Sequence, residues 1–172
     1  MPRVSPLAAI AKPGRFGADR GAPGVTLSVR HPLEIVTVIA RKGKAKAVAA
    51  RLKGMDAKWA GPEQYFVYGI KADQLAKQLA GLASCADQSH GRVVIRIDGA
   101  RARDVLAKGT PVDLYTEEFP PGKSALTQMA HVGVHLTRLG ADVFELSVFR
   151  GFSENFWEWL TVMSAEYGYQ VE

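Results

Sequence analysis

The chain has 172 residues, 47% of them apolar and 23% charged, enough to bury one packed core and too much apolar content for a wholly disordered protein. Its net charge of +5 hides a gradient, because residues 1–53 carry eleven Lys or Arg against only Asp19 and Glu34, while residues 54–172 carry eleven against fifteen acids. No apolar run approaches the roughly 20 residues that cross a bilayer, and the single cysteine, Cys85, can close no internal disulfide.

Residues 1–24 hold Pro2, Pro6, Pro13 and Pro23 among four glycines and show almost no periodicity, which predicts an extended arm outside the core, ahead of a single domain over 25–172. Proline also interrupts the stretch after Arg3, leaving no signal-peptide core, so a cytoplasmic protein is expected. Val25–Val29 alternates and Leu33–Ile39 is β-branched and apolar, giving two strands broken at Arg30-His31-Pro32. Ala45, Val48, Ala49 and Leu52 then mark one helix face that Gly54 ends. The helix is preceded by Arg41-Lys42-Gly43-Lys44-Ala45-Lys46, the densest basic cluster of the chain. No aromatic interleaving or helix-turn-helix pair accompanies it, so Lys42, Lys44 and Lys46 read as a solvated face or as a docking surface for an acidic partner, ahead of a nucleic-acid site.

Tyr65–Gly69 has strand composition, and Leu75, Leu79, Leu82 and Ala83 mark a second helix. Arg92–Ile97 is a strand, and Gly99 leads into a short helix with Ala102, Val105 and Leu106 inward. The segment Gly109–Lys123, with three prolines, shows no element of its own. Ala130–Leu139 and Val143–Phe149 form a hairpin through Gly140-Ala141-Asp142. Phe152, Phe156, Trp159, Leu160, Met163 and Tyr167 make one stripe of a final helix with Ser153 as N-cap. Trp157, two residues from Trp159, is either a staple against Phe152 or an interface anchor. The pattern is α+β, a mixed or antiparallel sheet with packed helices.

The chemistry-bearing residues converge poorly. Asp87, Ser89 and His90 are neighbours on one short loop, where Asp and Ser bond the local backbone more readily than they form a triad. His131 and His135 lie in a segment whose alternation says strand, which sets them about 13 Å apart along it. No Gly-x-x-x-x-Gly-Lys-Ser/Thr or Gly-x-Gly-x-x-Gly opens a helix. The chain is therefore expected to carry no catalytic, cofactor or metal residues of its own.

The stretch Asp87-Gln88-Ser89-His90-Gly91-Arg92-Val93-Val94-Ile95-Arg96-Ile97-Asp98-Gly99-Ala100-Arg101-Ala102-Arg103-Asp104-Val105-Leu106 resembles the gamma subunit of heterotetrameric sarcosine oxidases. So do Trp59–Tyr65, Phe119–Gly122 with Leu126-Thr127-Gln128, and Phe144-Glu145-Leu146 through Phe156–Leu160, together covering roughly residues 25–168. The resemblance implies a fold like the folate-binding domain of the glycine-cleavage aminomethyltransferase. It also implies a structural place in a flavoenzyme that demethylates sarcosine or a related N-methyl amino acid, passing the one-carbon unit to tetrahydrofolate. In that family alpha carries NAD and tetrahydrofolate, beta carries FAD and covalent FMN, and delta binds zinc; gamma brings no cofactor. N-methylglutamate dehydrogenase has a similar subunit set, so the substrate stays open. Where the aminomethyltransferase has a Gly-Gly and Asp-Asp segment, this chain runs Met129-Ala130-His131-Val132-Gly133-Val134, without a carboxylate. The expected function is thus a non-catalytic subunit docking through its basic N-terminal third and Trp157; the rival is a stand-alone folate- or RNA-associated module of the same fold.

Overall fold

The computed structural model describes residues 4–18 and 21–172. In chain order the elements are β1 (Gly14–Phe16), β2 (Val25–Val29), β3 (Ile35–Ala40), α1 (Ala45–Leu52), β4 (Ala57–Gly61), β5 (Gln64–Tyr68), α2 (Ala72–Gln78), β6 (Ala83–Asp87), β7 (Arg92–Asp98), α3 (Ala102–Ala107), β8 (Ser124–Met129), β9 (Val132–Arg138), β10 (Val143–Phe149), α4 (Ser153–Ser164) and β11 (Tyr169–Val171). They group into two compact units, residues 1–32 with 93–172, and residues 33–92.

The larger unit holds a seven-stranded sheet in the order β1-β11-β2-β7-β10-β9-β8, in which β11 runs parallel to β2, while β1 with β11, β2 with β7, β10 with β9 and β9 with β8 are antiparallel. One face packs on α3 and α4, with Ile95, Ile97, Leu136, Phe144 and Leu146 meeting Val105, Leu106, Phe156 and Leu160. Gly99 ends β7 at φ +133, where a Cβ would lie 2.5 Å from the carbonyl oxygen of Gly24, so only glycine lets β2 and the start of α3 approach this closely. The smaller unit holds a four-stranded antiparallel sheet, β4-β5-β3-β6. Its one face buries Val36, Val38, Ala40 and Val67 against Val48 and Leu52 of α1 and Leu75 of α2.

The architecture matches the α+β expectation, and several boundaries move. The second helix stops at Gln78; Leu82 lies in the turn after Gly81 (φ +76), and Ala83 opens β6. Leu7 is fully buried in the larger unit's core, where Ile10 and Ala11 donate to its carbonyl oxygen, and β1 pairs with β11. These pieces of the proline-rich segment depart from an arm held outside the core, since one Leu in a tight turn buries without any periodic signal; Pro2 lies outside the described residues. In α4 the buried residues are Ser153, Phe156, Trp157, Leu160 and Ser164, whereas Phe152 is 54% exposed. A 3₁₀ turn at Arg150–Phe152 precedes α4, and Ser153 is its first helical residue, not its N-cap, with its Oγ donating to the Arg150 carbonyl. The expected stripe otherwise faces the core, with Phe156 and Leu160 fully buried and Trp159, Met163 and Tyr167 packed half-buried on it, and Trp157 joins them.

The long segment before β8 is organised by one side chain. Arg138, at the end of β9, is 1% exposed. Its Nε donates to Gly140 O (2.9 Å), Nη1 to Leu114 O (3.2 Å) and Phe119 O (2.9 Å), and Nη2 to Thr116 Oγ1 (3.1 Å) and to Ala141 O. All five guanidinium donors are used. Lysine offers three donors without the planar fork, so Arg138→Lys should lower stability by about 2–4 kcal/mol and open residues 113–119 to chymotrypsin at Tyr115. An unchanged melting curve and digest would show that the segment is held without the guanidinium.

The two-residue turn between β8 and β9 sets Ala130 at φ 50 and His131 at φ 66, a left-handed pair that Asn and Gly adopt at least strain. Joint replacement Ala130→Asn and His131→Gly should raise the unfolding free energy by about 1–2 kcal/mol in denaturant titrations; a loss would mean that the present side chains hold the turn.

Candidate functional site

The second face of the large sheet is polar. Register places Ser28 opposite Arg96, Glu145 opposite Thr137, and Thr137 opposite Ser124. Arg96 Nη2 reaches Glu145 Oε1 at 2.9 Å and Arg30 Nη1 reaches the same oxygen at 2.8 Å, while the Ser124 and Thr137 hydroxyls meet at 2.8 Å. A row of polar side chains therefore crosses five strands. Its buried members are Thr137 and Glu145, with His135 and Ser147 one register step away; Ser147, 1% exposed, has no hydrogen-bond partner for its Oγ among the described residues. One carboxylate oxygen shared by two guanidiniums is oriented by both, so Glu145 ties β10 to β7 and to Arg30. No sequence signal exposed this row, because Glu145 and Arg96 sit where half-buried strands ordinarily alternate towards water.

The smaller unit carries the basic cluster. Between Glu34 and Asp56 the chain holds Arg41, Lys42, Lys44, Lys46, Arg51 and Lys53 and no acidic residue, and all six are exposed. None forms an ion pair among the described residues. Lys44 stands at the start of α1 without a side-chain cap, and the first turn holds no acid. Cations at a helix N-terminus oppose the macrodipole by about 0.3–1 kcal/mol each. Helix stability therefore does not account for the cluster.

The remaining candidates resolve structurally. Trp157 is 4% exposed and belongs to the larger unit's core, its remaining edge lining a groove of about 430 Å³ with Ile10, Phe16, Thr161 and Tyr169. Phe152 is too exposed to staple it. Trp159 lies over Gly109, where a Cβ would come within 2.3 Å of the indole. Ser89 is a turn residue: its N–H donates to Asp87 Oδ1 at 2.8 Å and its Oγ accepts from the Ile35 N–H at 3.0 Å, while His90 stays exposed. His131 is in the turn and His135 in β9, and no group of three or more His, Cys, Asp or Glu that could hold a metal occurs among the described residues. Burial pushes the Cys85 thiol above its ordinary value, away from thiolate reactivity. Among the described residues no helix is long and apolar enough to cross a membrane.

The sarcosine oxidase, gamma subunit family matches residues 29–166. Sarcosine oxidase subunit gamma of Corynebacterium sp. (strain U-96) is 26% identical over 158 residues, 88% of this chain and 77% of that protein. The subunit gamma of Arthrobacter sp. is 26% identical over 125 residues, 70% of this chain and 62% of its own length. In fold, the chain is similar to one of the heterotetrameric sarcosine oxidase from Corynebacterium sp. U-96, with a TM-score of 0.82, 24% identity and 96% of both chains covered. It is also similar to the glycine cleavage system aminomethyltransferase T from Bartonella henselae, with a TM-score of 0.59 and 17% identity, over 84% of this chain and 49% of that one.

Burial of Trp157 predicts that Trp157→Ala destabilises the free chain by about 3–5 kcal/mol, read as a lower melting temperature without any partner present. A variant that melts with the wild type but leaves its complex faster would return Trp157 to the role of an interface anchor.

Proposed function

Because the chain belongs to the sarcosine oxidase gamma subunit family, we propose that it is a structural subunit of a heterotetrameric enzyme that oxidatively demethylates sarcosine or a related N-methyl amino acid and passes the one-carbon unit to tetrahydrofolate. The observation that carries this reading is the family match over residues 29–166, which takes in both compact units. The partners are the alpha, beta and delta subunits. FAD, FMN, NAD, tetrahydrofolate and zinc belong to those subunits in this reading. What supports this is that the turn Met129-Ala130-His131-Val132 offers no carboxylate, Glu145 is paired with Arg30 and Arg96, and no group of three or more potential metal ligands occurs among the described residues.

Docking is assigned to the cationic face of α1, with Lys42, Lys44 and Lys46 at its centre, and to the exposed side of the proline-rich N-terminal segment, whose Leu7 and β1 belong to the larger unit. Ile10 and Phe16 of that segment are exposed beside the groove that Trp157 edges. A charged face of one sign steers an acidic partner and speeds encounter more than it slows release.

Co-expression with the other three subunits should yield a complex holding one copy of this chain and showing flavin absorbance, while the chain purified alone is colourless. Joint replacement of Lys42, Lys44 and Lys46 by Ala should slow association on the order of tenfold at low salt and flatten its salt dependence. The free variant should melt no lower than the wild type, since the lysines oppose the helix dipole. A wild-type association rate in the triple variant would take α1 out of the docking surface.

A further inference from the structure

The two sheets have four edges, and three of them are blunted. β1 is three residues long and carries Arg15; β4 is broken by a bulge between Trp59 and Gly61 and contains Lys58; β6 ends in Asp87. Short length, charge and bulges are the ordinary devices that keep a sheet edge from pairing further. The fourth edge, β8, has none of them. Its six residues, Ser124-Ala125-Leu126-Thr127-Gln128-Met129, hold no charge, proline or glycine, and the register with β9 is unbroken over all six pairs. Leu126 in its middle is 53% exposed.

The register fixes which backbone groups are available. Met129 and Val132 close the two-residue turn, and Arg138 N–H donates to the Lys123 carbonyl at 3.0 Å. Odd-numbered residues of β8 thus turn their N–H and C=O groups to β9, and Ser124, Leu126 and Gln128 turn theirs outward. No backbone partner meets these outward groups among the described residues; the Gln128 carbonyl receives only the Thr127 hydroxyl, at 3.2 Å. The result is a straight row of donors and acceptors at every second residue, with one apolar side chain at its centre. Another extended backbone complements that row completely.

We propose that β8 receives an extended, uncharged segment of a neighbouring subunit, which adds to the large sheet as an eighth strand and covers Leu126. This inference rests on reading the chain as one subunit of a heterotetramer: an assembly of four different chains holds one copy of this one, so the edge is filled by a different chain and not by self-pairing about Leu126.

The test uses proline at the one position where it separates the two sides of β8. Leu126 donates no hydrogen bond to β9, so Leu126→Pro removes the outward donor and places a ring against the incoming strand while the ladder to β9 survives. Leu126→Thr keeps the N–H. With the other three subunits co-expressed, Leu126→Pro should weaken assembly at least tenfold, Leu126→Thr much less, and both free chains should melt near the wild type. In the wild type, hydrogen exchange of the Ser124, Leu126 and Gln128 amides should be fast in the free chain and at least tenfold slower in the complex. Exchange alone decides the matter if the proline variant does not fold. Undiminished assembly by Leu126→Pro, equal damage from Leu126→Thr, or equally fast exchange of the three amides in the complex would each overturn the inference and leave the subunit reading standing. A free-chain dimer that Leu126→Pro dissolves would overturn it in favour of a second copy. A wild-type chain that joins no assembly would overturn the subunit reading and the inference together.

Discussion

A guanidinium with every donor used holds a large part of this molecule in place. Among the described residues Arg138 forms no ion pair; five oxygen acceptors surround it, four of them backbone carbonyls, and the ring of Phe144 lies 5.3 Å away. Carbonyl dipoles at fixed positions replace the water that a buried cation loses, and the planar fork demands that they stay there. Four of the five acceptors come from Leu114, Thr116, Phe119 and Ala141, so the segment before β8 and the turn after β9 are set by the same group. Phe119 enters the core on the strength of that arrangement. The backbone of Arg138 also pairs with Lys123 and Gly122, which fixes where β8 begins and which of its residues face outward.

Sequence patterning revealed the interior of both sheets and little of their edges. β2, β3, β5, β7, β9 and β10 are legible because each is flanked on both sides and packed on at least one face, which selects β-branched and apolar residues at alternate positions. β1, β4, β6 and β8 are all edge strands, built from Gly, Ala, Ser, Lys and Gln as readily as from apolar residues, and they have no such signature. β6, Ala-Ser-Cys-Ala-Asp, could be taken for the end of a helix because Leu79 and Leu82 before it fall at helical spacing. In α4 the apolar stripe from Phe156 to Tyr167 was legible, and only its start was misplaced, because a 3₁₀ turn holds Phe152 outside the helix. Arg138 was invisible for another reason: an arginine closing a strand ordinarily points to water, and its partners are carbonyl groups that every sequence has. The basic cluster of α1 was read directly, since it is a local property of composition.

The likeness to an aminomethyltransferase is one of fold, and the polar row across the large sheet is this chain's own filling of one face of it. The fold alone is shared with that enzyme. Here the carboxylate on the polar face is matched by two arginines, and the turn after Gln128 holds Ala and His. Such a face binds the strands to one another through paired polar side chains. The surfaces proposed for docking lie on the exposed helix α1 of the smaller unit and the open edge β8 of the larger.

The position of β11 has a consequence for how the protein is made. Tyr169–Val171 lie between β1 and β2, parallel to Val25–Leu27, so the edge of the large sheet near the beginning of the chain is closed by residues translated near its end. At ribosomal rates the interval between residues 29 and 169 is on the order of ten seconds. The smaller unit has all of its strand partners within residues 33–92 and is synthesised inside that interval. A nascent chain therefore passes through a period in which one unit can be finished while the other is an open sheet waiting for β11, the stage at which chaperones or early docking of a partner have most to protect.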